Sequence, residues 1–291
     1  MDLKDLVMLA FRVSILSTVF GFGLRATSSD LLYLGRRPGL LLRSVIAVFV
    51  IMPIVAVVLA RVFDFRRTVE IALVAIAVSP VPPLLPMKKA KAGGQTSYAL
   101  GLVAILALLS IVVVPLSVEV LGRVFGRSFA MAPSAVARIV LMSVLLPLCA
   151  GMAVRARLPV VADRIEKPVD VVTRVLLPLA VLALVAGSWS AIWAAVGDGA
   201  AVPIAAFVAI GLLVGHLMAG PDPHQSVVLA LSSAMRHPAI ALSIASANFP
   251  DERFGGTILL CLIIDAIVGI PYLAWHRRQT VMGAGAPTRS G

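Results

Sequence analysis

Charge is what this sequence has least of. Only 13% of its 291 residues are Asp, Glu, Lys or Arg, against 60% hydrophobic ones, and the mean hydropathy is +1.04. Soluble domains carry roughly twice that share of charge, so a water-soluble globule is excluded and a polytopic membrane protein is indicated. Acidic residues are scarcer than basic ones, 14 against 25, for a net charge of +11. The basic residues fall between apolar runs rather than along one amphipathic face. That pattern fits membrane topology and excludes nucleic acid as a partner. Cysteine is nearly absent: Cys149 and Cys261 each lie inside an apolar run, so neither a disulfide framework nor a cysteine metal site is expected. The sequence has no H-E-x-x-H pair and no acid, base and nucleophile set. No enzyme, no cofactor and no metal site is therefore expected. The first apolar run, 6–24, ends without a small-x-small cleavage pattern and counts as a span, not a removable signal.

Long apolar runs are what the chain has in abundance. With about 17 to 25 residues needed to cross a bilayer, nine segments emerge: 6–24, 40–60, 71–85, 96–121, 139–154, 175–196, 200–218, 227–247 and 258–275. The fold class is an all-α polytopic membrane protein. Residues 1–276 are expected to form one transmembrane domain, with a charged connector at 155–174 and a disordered cytoplasmic tail at 277–291. A cytoplasmic C-terminus places fifteen Lys and Arg residues inside against nine outside, a positive-inside bias that puts the N-terminus outside. Lys88, Lys89 and Lys91 then read as an inner anchor. The high ratio of Arg to Lys and the Ala and Val richness fit a bacterial inner membrane.

Two segments are interrupted. The third runs into Pro80, Pro82, Pro83 and Pro86, through which no regular helix passes. The eighth, LALSSAMRHPAIALSIASANFP, holds Arg236, His237 and Pro238 in an otherwise apolar span. Charged groups at that depth need partners or water, and backbone freed by a break is tolerated only inside protein or along a cavity. The two breaks stand at corresponding places, each in the next-to-last segment of its half. That layout indicates an inverted repeat, 1–121 and 133–276, whose two broken helices cross at the substrate site.

The stretch 20–56, FGFGLRATSSDLLYLGRRPGLLLRSVIAVFVIMPIVA, the region 79–116, and the stretch 232–249, SSAMRHPAIALSIASANF, together resemble the bile acid:sodium symporter family of secondary transporters. The resemblance spans nearly the whole chain. It implies nine or ten helices, a panel and a core, crossing broken helices in the core, and movement of organic anions usually coupled to sodium. It also marks departures. The family's sodium-binding glutamate falls on Ser232, its glutamine on Arg236 and the neighbouring asparagine on His237. A further glutamine falls on Val48, and the serine-asparagine pair falls near Leu85 and Pro86. Hard cations need oxygen ligands, and several of these side chains offer none.

The expected function is a secondary active transporter of a small organic anion working by alternating access, with proton or sodium as the coupling ion and the lipid bilayer as surroundings. The alternative is a transport-inactive membrane sensor or partner protein on the same fold. Arg236 is expected to stand where relatives hold a cation and to orient the anion; its bland role is to cap freed carbonyls. Asp265, mid-span, and His237 form a possible proton-carrying set, or a static pair that locks two helices. Ser79, Ser97, Ser232 and Ser233 are the polar candidates for substrate contact, although such serines more often bond their own helix.

Overall fold

The computed structural model describes residues 3–63, 65–82, 95–125 and 131–284. Within them every regular element is a helix, and proline decides where many of these begin. We number them α1 (Leu3–Arg25), the one-turn α2 (Ser28–Leu31), α3 (Pro38–Val62), α4 (Arg67–Val78) and α5 (Thr96–Val124). There follow α6 (Pro133–Arg157), α7 (Pro159–Gly187), the short α8 (Trp189–Gly197), α9 (Ala201–Met218), α10 (Pro223–Ala234), α11 (Pro238–Asn248) and α12 (Gly255–Ala284). Five of them open on proline, which has no N–H to leave unsatisfied in the first turn. Eight spans are long and apolar enough to cross a membrane, with α10 and α11 counted as one. With the half-length α4, the nine expected segments are all found.

Inside α3 and α6 the helix widens to a π-turn, Ala47–Ile51 and Leu141–Leu145, just before Pro53 and Pro147. The Met52 N–H reaches back to the Ala47 carbonyl and the Leu146 N–H to that of Leu141. Each proline removes a donor and crowds the carbonyl four residues back, and the five-residue turn ahead of it makes room.

Three helices, α1, α6 and α7, pack mainly on one another as a layer. Between α1 and α6 the backbones touch: a Cβ on Gly23 would lie 2.3 Å from the Leu148 carbonyl, and one on Gly151 2.3 Å from that of Phe20. Lipid tails supply no hydrophobic force between helices, so this close approach of small residues is what joins them. Ionic contacts close one end of the layer. Arg25 meets Asp170 at 3.1 Å, Arg155 meets Glu166 at 2.7 Å and Asp163 at 2.5 Å, and Arg174 pairs with Asp170 one turn away. These contacts correct the expected connector at 155–174. From Pro159 on it is the start of α7, because its charges find partners at helical spacing and on the neighbouring helices. The sixth span accordingly runs Pro159–Gly187 and not 175–196, and α8 takes up residues 189–197. The tail is corrected too: α12 continues to Ala284, and 285–291 lie outside the described residues.

The second body holds α3, α4, α5 and α8 to α12. At its centre is the interrupted span 223–248, 78% of whose apolar window is buried, against 11% for the lipid-facing α7. Gly215 on α9 fixes that placement, since a Cβ there would stand 2.3 Å from the Leu229 carbonyl of α10.

Candidate functional site: the crossing of two broken helices

Both breaks come from the same chemistry. A residue before proline is pushed out of the helical region, and Ser79, before Pro80, lies at φ −71°, ψ 147°, while His237, before Pro238, lies at φ −77°, ψ 106°. α4 stops at Val78, just before its pre-proline residue, whereas α10 stops at Ala234, three residues ahead of His237. After the extended residues Met235 to His237, α11 restarts with Pro238 as its first residue. The two extended segments then join. The His237 N–H donates to the Pro80 carbonyl at 2.8 Å, and Arg236 Nη1 donates to the Ser79 carbonyl at 3.3 Å. Of the expected proline cluster, Pro80 and Pro82 are described and Pro83 and Pro86 lie outside the described residues, as do Lys88, Lys89 and Lys91.

The electrostatics follow from helix direction. The C-terminal ends of α4 and α10 bring carbonyls, partly negative, to the crossing, and the N-terminal end of α11 brings amides, partly positive. Arg236 is 3% exposed. Its guanidinium lies among the carbonyl ends, 5.9 Å above the Phe207 ring of α9. Asp265 of α12, also 3% exposed, and Cys261 are within electrostatic reach of it. Arg236 Nε and Nη2 are buried without a hydrogen-bond acceptor among the described residues. So are both ring nitrogens of His237, which is 5% exposed, and the hydroxyl of Ser233. A void of about 10 Å³ beside Arg236, between Ile76, Pro238 and Cys261, has room for about one water molecule.

Residues 13–195 match the sequence model of the Sodium Bile acid symporter family. The chain belongs to that family. It is a family of membrane transporters, not of enzymes, and this member is accordingly an integral membrane protein. The matched stretch holds the first break, Ser79 to Pro82, while Arg236 and Asp265 lie beyond it. No curated protein matches the chain.

The expected site residues of this symporter-family protein divide as follows. Arg236, His237, Ser232, Ser233, Ser79, Pro80 and Pro238 are gathered at the crossing, and Asp265 of α12 lies within electrostatic reach of Arg236. Two of the serines are turned to their own helices: Ser232 Oγ donates to the Val228 carbonyl at 2.6 Å and Ser79 Oγ to that of Ile76 at 2.7 Å. Ser97 is a correction. It begins α5 at the end of the bundle where the Gln95 N–H meets the His224 carbonyl, and its hydroxyl donates to Asp30 Oδ1 at 2.5 Å. The twelve residues of α10 between that level and the crossing span about 18 Å. Burial works against the Asp30 charge, but hydrogen bonds from the hydroxyls of Ser97 and Thr27 and from the Thr27 N–H outweigh it and hold the carboxyl below its usual range.

Two features had no single-sequence signal strong enough to find them. Phe207 reads as one apolar residue of α9 among many. Arg67 and Glu70 read as loop charges, yet they help to line a cavity of about 130 Å³ between α4, α5 and α11.

Proposed function

We propose that the protein carries a small organic anion across the bilayer by alternating access, with the guanidinium of Arg236 as the fixed positive charge of the crossing. The observation that carries this reading is a buried guanidinium with two donor nitrogens that find no acceptor among the described residues, where the ends of α4, α10 and α11 converge. Such donors are costly to leave unmade, and a carboxylate of the substrate supplies the bidentate acceptor they fit. The same charge argues against a metal ion bound beside it, because a cation there would sit next to a permanent guanidinium. Uptake of sodium with substrate, usual in the family by resemblance, is therefore not needed at this point. The layer α1–α6–α7 and the body that holds the crossing supply two units that can rock against one another.

The test is uptake of a panel of labelled carboxylates by reconstituted vesicles, with and without sodium and a pH gradient. Arg236→Gln is expected to abolish uptake while the protein remains folded; uptake unchanged by that substitution refutes the reading. No substrate-dependent flux with any of the panel favours the transport-inactive sensor instead. A second reading concerns coupling. The buried ring nitrogens of His237, without a hydrogen-bond partner among the described residues and adjacent in the chain to Arg236, favour a proton as the companion ion. A transport rate that keeps its pH dependence in both His237→Gln and Asp265→Asn removes that reading.

A further inference from the structure

The cavity between α4, α5 and α11 runs from the far end of α4 down to Val78, next to the crossing, and its polar end has its own chemistry. Val74, Val118, Leu121 and Ile244 form apolar walls. Arg67 and Glu70, from the first turn of α4, and Asn248, the last residue of α11, line it at the helix ends. At about 130 Å³ it approaches the 150 Å³ or so of an apolar cavity that accepts benzene, so it has room for a chain of about five or six carbon atoms. Its polar side carries both signs. The Arg67 guanidinium touches Glu252 through Nε at 3.5 Å and lies 5.3 Å over the Phe249 ring. Glu252 in turn has one carboxylate oxygen buried without a hydrogen-bond donor among the described residues. Glu70, one helical turn from Arg67, makes no ion pair among the described residues.

The balance of these groups selects the ligand. A simple carboxylate would meet Arg67 but also the charge of Glu70, which makes no ion pair among the described residues, and a simple amine would leave unused the Arg67 donors beyond the Nε that touches Glu252. We propose that this cavity binds a small zwitterion of amino-acid type, its ammonium group at Glu70, its carboxylate at Arg67 and a branched aliphatic chain between the apolar walls. The site does not rest on the transport reading, because binding is measured without flux.

The experiment is equilibrium binding to the purified full chain in detergent with three probes of one carbon skeleton: leucine, 3-methylbutylamine and 4-methylpentanoate. Leucine is expected to bind at least tenfold more tightly than either single-charge analogue. Glu70→Gln should bring leucine down to the level of 4-methylpentanoate, and Val74→Phe or Val118→Phe, which fill the cup, should lose all three. Arg236→Gln should leave leucine binding intact, which separates this site from the crossing. Equal affinity for leucine and 4-methylpentanoate, a Glu70→Gln variant with unchanged preference, or no saturable binding of leucine overturns the proposal. If both phenylalanine variants fail to fold, the Glu70→Gln comparison decides.

Discussion

Consider replacing Arg236 by Leu. The change removes the donor to the Ser79 carbonyl and strips Asp265, 3% exposed on the facing helix, of the cation within its electrostatic reach. Arg236 and Asp265 make no ion pair within 4.0 Å among the described residues, so the cost of about 3–5 kcal/mol for breaking a buried contact pair is an upper bound for removing the longer-range attraction. At roughly 2 °C per kcal/mol for a chain of this length, Arg236→Leu should unfold below the parent at pH 7 by up to about 6–10 °C. Asp265→Leu alone should cost a similar amount for the mirror-image reason. The double variant leaves no orphaned charge, and hydrophobic replacement of a whole pair is often neutral or stabilising, so it should recover most of the loss. The cycle is read by thermal unfolding of the four proteins in one detergent, and uptake should be absent in all three variants. Losses that simply add in the double variant would refute the reasoning, since additivity is what residues without a shared interaction show.

Gly215→Leu should destabilise by about 1–3 kcal/mol through overpacking of α9 on α10, because its first carbon already meets the Leu229 carbonyl at 2.3 Å; Gly269→Ala, with nothing within 4 Å, is the neutral control, and both are read by thermal unfolding. Ser97→Ala should keep uptake within about twofold of the parent, its hydroxyl being bound to Asp30 at the far end from the crossing; loss of uptake would return Ser97 to the site. The Asp30 carboxyl is held below its ordinary value, so its contribution to stability is fully present above about pH 3.9 and is lost as the pH falls through the folded-state value. Asp30→Asn should remove that acid-sensitive part, seen as a smaller drop in melting temperature between pH 5 and pH 3 than the parent shows.

The spans and their breaks were legible because each is a local property. A bilayer demands an unbroken apolar run, and proline disrupts its own helix whatever surrounds it, so 79–82 and 235–238 announced themselves. What failed to read had its meaning in other helices. The charges of 159–174 look like a connector until Arg25 and Arg155 from two neighbours are set against them. Ser97 looks like a membrane serine until Asp30, sixty-seven residues away, takes its proton donor. The 130 Å³ cavity draws its walls from three segments that share no periodicity.

The same distinction explains the crossing's oddest residue. Read alone, Arg236 in an apolar span is an expense without a reason. The geometry supplies one: among the described residues, two carbonyl ends, of α4 and α10, converge beside one amide end, of α11, and a guanidinium suits a place where carbonyls gather. By the resemblance, relatives hold sodium there and balance the ion with a glutamate at the position of Ser232. Here the positive charge is covalent and the negative one comes from α12, as Asp265. By the same resemblance the carboxylate at 232 and the guanidinium at 236 are alternatives, so restoring Glu at 232 alone is expected to bring no sodium dependence of uptake, whereas Ser232→Glu together with Arg236→Gln is expected to bring it; sodium-dependent uptake by the single variant would refute the coupling.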